Sequence, residues 1–211
     1  MENIKDILVV IYSLSSLGLL IVAIIGLKQI VLAKKSIIIN SKRESGTLAA
    51  NQVIHYMDYI IPMLDEFDIE LKKIDCPKYN GEIKTYTNKD LKQYSIEWYK
   101  KYLNCIIKNK PDIKAINALE AFATFFTSKM ADEAIAYGSV GTTFCNTIKQ
   151  IYPFICQSSL PNQSKYYNNI IRLHKMWQAR LDKESLENKE NEVLRKLENI
   201  KAQKIDPIGT E

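Results

Sequence analysis

The chain has 211 residues, 46% of them hydrophobic and 25% charged. That composition fits a packed core and excludes a disordered or low-complexity protein. The net charge is +5, with 29 Lys and Arg set against 24 Asp and Glu scattered along the chain. No dense basic tract results, so nucleic-acid binding is allowed but not implied. Seven glycines and six prolines are few for this length, which suits helices better than turn-rich β-structure.

From Ile7 to Leu27 no residue is charged. A run of about 20 apolar residues crosses a hydrocarbon core of about 30 Å as a helix. Glu2, Lys5 and Asp6 precede it, whereas Lys28, Lys34, Lys35, Lys42 and Arg43 follow. The positive-inside rule then expects the N-terminus outside and the rest in the cytoplasm. A cleaved signal peptide fits less well, because the segment before the apolar run is not basic and no small-x-small cleavage site follows. At 100° per residue Ser15, Ser16, Ala23 and Gly26 share one arc of the helix, a candidate self-association face in lipid. The five basic residues after the span are placed to lie at the membrane surface.

The helical pattern runs on through Ile37–Ile39. It resumes at Leu48, Val53, Ile54, Met57, Ile60, Ile61 and Leu64, with a kink expected at Pro62. Residues 76–89 read as a loop, with Thr87 or Asn88 capping a helix that carries Asp90 in its first turn. That helix is expected from Leu91 to about Lys108, and Pro111 is expected to open the next. Ile116, Leu119, Phe122, Ala123, Phe126 and Met130 mark a core face. A further apolar helix is expected over residues 134–155, bent around Gly138 and Gly141. After a break at residues 158–161, a long helix is expected from Asn162 toward Lys204. Tyr166, Ile170, Leu173 and Trp177 lie at core spacing, and Leu186, Val193 and Ile200 recur seven apart in a charged second half. No strand pattern appears. The fold expected is all-α: a transmembrane anchor over 1–28, a cytoplasmic helical bundle over 29–182, and a charged helix and tail over 183–211.

Little in this chain points to catalysis. Cys76, Cys105, Cys145 and Cys156 are too widely spaced for a C-x-x-C site and read as structural thiols. His55 and His174 belong to no metal motif, and no phosphate-binding loop or nucleophile elbow occurs. No metal, cofactor or catalytic residue is therefore expected. Glu120, Asp132 and Glu133 stand in or beside the most apolar helices, where a carboxylate needs partners. Two readings stay open: ion pairs with Lys129, Arg172 or Arg180, or electrostatic support of helix ends.

Several short motifs recur together: Lys28-Gln-Ile with Lys34-Lys35, Arg43-Glu-Ser, Leu119-Glu-Ala-Phe-Ala, Ala131-Asp-Glu, Ala136-Tyr, Phe144-Cys and Tyr166-Tyr. Together they resemble a family of short, N-terminally anchored bacterial proteins of unknown function, a resemblance that implies a place in the bacterial inner membrane. In architecture the chain is also similar to the accessory membrane protein of type VI-B CRISPR systems. That resemblance implies a span followed by a HEPN-like helical domain, assembly into a membrane pore, and a role in antiphage defence beside a partner protein. HEPN ribonucleases carry an arginine with a histidine four to six positions later, and none of Arg43, Arg172, Arg180 and Arg195 has one. The function expected is a self-associating, non-enzymatic effector or accessory protein at the membrane. Two alternatives are a degenerate ribonuclease using Arg172, His174 or Arg180, and a monomeric scaffold.

Overall fold

The structure, a computed structural model, describes residues 2–158 and 166–202, and only the backbone of 2–5, 7–10, 13, 17 and 200–202. Every regular element among the described residues is helical: α1 (Glu2–His55), a π-helical turn (Tyr56–Ile60), α2 (Ile61–Lys73), α3 (Asn88–Tyr94), α4 (Ile96–Asn109), α5 (Lys114–Thr127), α6 (Glu133–Ser158) and α7 (Asn168–Ala202). The chain divides into two compact units, Met1–Thr47 and Leu48–Glu211.

The first unit is one helix segment, and its large apolar side chains among the described residues are exposed. Leu14, Leu19, Leu20, Ile21, Val22 and Leu27 are all half or more exposed. The α1 helix is long and apolar enough to cross a membrane. Its apolar residues surround the axis, whereas a helix resting on a protein core keeps a polar side.

In the second unit α5 packs on α7, α6 on α7, α3 on α6 and α2 on α5. Trp177 lies at the centre, fully buried, with ring contacts to Phe122, Phe126, Tyr137 and Phe144. The spacing of Ile116, Leu119, Phe122, Ala123 and Phe126 puts all five on the buried face of α5, as the periodicity requires.

Several boundaries differ from the sequence expectation, each for a local reason. The stretch from Leu48 is no separate helix but the end of α1, broken by the π-turn before Pro62 enters the first turn of α2. The backbone stays helical through Ile60 and Ile61, so Pro62 lacks the N–H that would return to the preceding turn, and the irregular π-turn falls where that bond is missing. The helix expected from Leu91 to Lys108 is two helices. Ser95 takes an extended conformation between them, and its hydroxyl accepts from the Trp98 N–H. Pro111 lies ahead of α5 rather than in it, and the Asp112 carboxylate accepts from the Lys114 N–H. Met130 is 55% exposed because α5 ends at Thr127 and the chain turns through Lys129 at φ 62°. Tyr166 is exposed while Tyr167 is buried, since both precede α7 and the helical spacing does not reach them. The expected helix start at Asn162, most of the break before it, and the Ile200 side chain fall outside the described residues.

Candidate functional site

The residues expected at the membrane all lie on α1. Ser15, Ser16 and Ala23 are exposed, and Gly26 is half-exposed. The Ser15 hydroxyl donates back to the Ile11 carbonyl at 2.8 Å, which hides its polarity within the helix. A Cβ at Gly26 would meet nothing within 4 Å. Lys28, Lys34, Lys35, Lys42 and Arg43 are exposed along the following turns.

The three carboxylates take distinct positions. Glu120 accepts from the Asn169 N–H, the Asn169 side-chain amide and the Ile170 N–H, at 2.8–3.0 Å. It caps the N-terminal end of α7 from a neighbouring helix, where the orphan N–H groups and the helix dipole favour a negative charge. Asp132 accepts from the Ala134 and Ile135 N–H groups at the start of α6. Glu133 meets Arg180 at 3.0 Å and also accepts from the Trp177 indole N–H at 2.5 Å. The Arg180 guanidinium lies 4.3 Å from the Tyr137 ring centre. Arg172 is exposed. Glu120 and Asp132 therefore support helix ends, while Glu133 joins α6 to α7 as one half of an ion pair.

The densest polar cluster has no counterpart in the sequence reading. Asp90, 4% exposed, accepts from the backbone N–H groups of Lys84, Thr85 and Tyr86 and from the Thr85 hydroxyl. The Tyr152 hydroxyl also donates to it, and itself accepts from the Lys84 and Tyr86 N–H groups. Burial works against the Asp90 charge, but hydrogen bonds from Tyr152, Thr85 and Lys84 outweigh it and hold the carboxyl below the usual range. This knot holds the loop before α3 against α6. It also holds buried Tyr86 in the left-handed region, at φ 58°, where a bulky residue is rarely found.

The Tyr86 hydroxyl lies 2.5 Å from Nδ1 of His174, a residue 2% exposed on α7. Burial pushes the Tyr86 hydroxyl well above its ordinary range, so it stays protonated and donates. Nδ1 then accepts, which places the imidazole proton on Nε2. Nε2 is buried without a well-formed hydrogen bond. Burial, with Lys149 nearby, lowers the His174 pKa to about 4, leaving the ring neutral at neutral pH. His55, in contrast, is exposed and stacks on Tyr59. Of the other two residues named with His174, Arg172 is exposed and Arg180 is paired with Glu133. No group of three or more His, Cys, Asp and Glu side chains suited to a metal occurs among the described residues.

The family model for DUF4760, a domain of unknown function, matches residues 14–177. That stretch is well over half of the chain. The protein belongs to the DUF4760 family. The matched part takes in the apolar helix from Leu14, the Asp90 knot and Trp177, and it stops before the charged half of α7. No curated protein and no solved structure matches the chain.

Proposed function

We propose that this DUF4760 protein is a membrane-tethered, self-associating and non-enzymatic module, acting as an effector or accessory in bacterial antiphage defence. The observation that carries the reading is the apolar stretch of α1 from Leu19 to Leu27, whose large side chains are all exposed among the described residues. A helix apolar all round needs either a protein core or lipid around it. The cationic residues from Lys28 to Arg43 favour a cytoplasmic second unit. The class of role rests on the architectural resemblance to the accessory membrane protein of type VI-B CRISPR systems. A defence-system protein is the partner it implies.

Self-association draws support from the arc of Ser15, Ser16, Ala23 and Gly26, where small side chains permit close helix approach in lipid. The open space around Gly26 makes the test discriminating. A Cβ there meets no described atom, so a change in assembly on substitution by leucine reports contacts with another helix. Cross-linking in native membranes should give multimers of wild type and mostly monomer of the Ala23→Leu, Gly26→Leu double variant. Wild-type protein that cross-links only as monomer at every concentration overturns self-association. A cytoplasm-specific reporter that stays dark after Glu211, while a periplasmic one is active, overturns the orientation.

A further inference from the structure

We propose that the cavity bounded by α2, the loop after it, α4 and α6 binds a small organic anion with a planar ring body. Its volume is about 230 Å³. A buried apolar cavity of about 150 Å³ already accepts benzene, so this one holds a body of one or two fused rings. Its size lies just below the usual range for ligand pockets, about 300–1,000 Å³.

The walls specify the body. Phe67, Tyr79, Tyr102 and Phe154 all line the cavity, and ring faces and edges at several angles suit a flat guest. These rings are held in place from behind. Phe67 meets Phe154 edge-on at 6.2 Å, Tyr79 lies against Tyr94, Trp98 and Tyr152, and Tyr102 stacks on Trp98 at 5.1 Å. Gly81 keeps Tyr79 in position from the loop side, because a Cβ there would come within 2.5 Å of the Tyr79 hydroxyl. The walls are thus shaped before any guest arrives, which lowers the cost of binding. Pro153 opens the α6 side, since it has no N–H to return to the Lys149 carbonyl one turn earlier.

The mouth specifies the charge. Lys72, Lys78 and Lys149 border it, with Asp68 as the acidic residue. Asp68 is taken by Lys72 in an i,i+4 pair. Lys149 donates to the neutral Asn146 side chain at 3.4 Å, and neither Lys149 nor Lys78 carries an ion pair among the described residues. Two cations therefore face an aromatic cavity without a matching anion, and a carboxylate, sulfonate or phosphate on the guest would complement them.

Cys76, half-buried in the cavity wall, reports occupancy. Burial pushes its thiol up, with Cys105 adding to the effect, so alkylation is slow and is best followed at pH 9. The experiment treats native membranes holding the full chain with N-ethylmaleimide and follows Cys76 by mass spectrometry. The probes are 2-naphthoate, neutral 2-naphthylmethanol and octanoate. Naphthoate should slow labelling at least fivefold, whereas the neutral ring and the acyl anion protect less at equal concentration. In the Lys78→Glu, Lys149→Glu double variant, protection is read against that variant's own unprotected rate, because reversing charge beside Cys76 disfavours its thiolate, and naphthoate protection should weaken roughly five- to tenfold. Absence of protection at millimolar naphthoate overturns the proposal. Equal protection by naphthylmethanol removes the anionic requirement, equal protection by octanoate removes the planar one, and undiminished protection in the charge-reversed variant removes the lysines. None of these readouts depends on self-association.

Discussion

The first half of α1 and the helix α6 are both rich in aliphatic side chains, yet they meet opposite surroundings. Ile21, Val22 and Ile24 are 48–66% exposed, whereas Phe144, Cys145, Ile148 and Tyr152 are at most 1% exposed. The difference lies in the residues between the apolar ones. In α6 they are Thr142, Thr143, Asn146, Lys149 and Gln150, which give that helix a wet side. In α1 from Leu19 to Leu27 they are Ala23 and Gly26, so no side is wet. What decides a helix's solvent is thus whether a polar face exists, more than how apolar the rest is. One region depends on burial against itself, and the other exposes its apolar surface to whatever surrounds it.

Substitutions in the packed unit should be costly in proportion to what they leave unfilled or unpaired. Trp177→Ala removes the ring that four aromatic neighbours share and strips Glu133 of its indole donor. A loss of about 3–5 kcal/mol is expected in denaturant unfolding of the detergent-solubilised chain followed by near-UV dichroism. A loss below about 1 kcal/mol would mean that the centre of the core lies elsewhere.

The pH dependence comes next in size. The His174 pKa is lowered from 6.5 to about 4, so acid protonates the unfolded chain before the folded one. Stability is full above pH 6.5, falls between pH 6.5 and about 4, and has lost of the order of 3 kcal/mol at the lower end. Asp90 has its carboxyl held low, so its own contribution is lost only at more acid pH. A His174→Gln variant should flatten the upper slope and leave the lower one, as thermal melts across pH 2–8 would show. An unchanged slope would place the titrating group elsewhere.

Glu120→Ala tests a more modest tie. It leaves two backbone N–H groups at the start of α7 to water, since the site is only half-buried. The cost should be about 1–2 kcal/mol, in line with other caps. Faster hydrogen exchange at Asn169 and Ile170 should accompany it, with α3 and α4 unaffected.

Much of the helical framework was legible in the sequence because period and caps are local. Thr87 accepts from the Lys89 N–H at the start of α3, and the five-residue core face of α5 follows from spacing alone. The misplacements of Met130 and Tyr166 arose where a helical period was continued past the helix end. The polar knot was invisible for a different reason. Asp90 and Tyr152 stand 62 residues apart, and Tyr86 and His174 stand 88 apart, so no window of sequence contains both halves. Asp90 read as an ordinary first-turn acid, when its carboxylate mostly serves the loop before it. Glu133 was singled out as an acid in an apolar setting, but its partner among Lys129, Arg172 and Arg180 is fixed only by how α7 lies against α6. The cavity beside Cys76 gave no signal, since its walls come from four separate segments.

The contrast between the two regions is tested most directly by placing charge in the apolar one. Ile21 and Ile24 are exposed, and a lysine near the centre of a span costs about 2.5–3.5 kcal/mol. Wild-type protein should stay with membranes after an alkaline carbonate wash. The Ile21→Lys, Ile24→Lys double variant should be released to the supernatant, with the melting transition of the packed unit unchanged. Release of the wild type by carbonate, or loss of that transition in the double variant, would contradict a helix that faces lipid and supports no core.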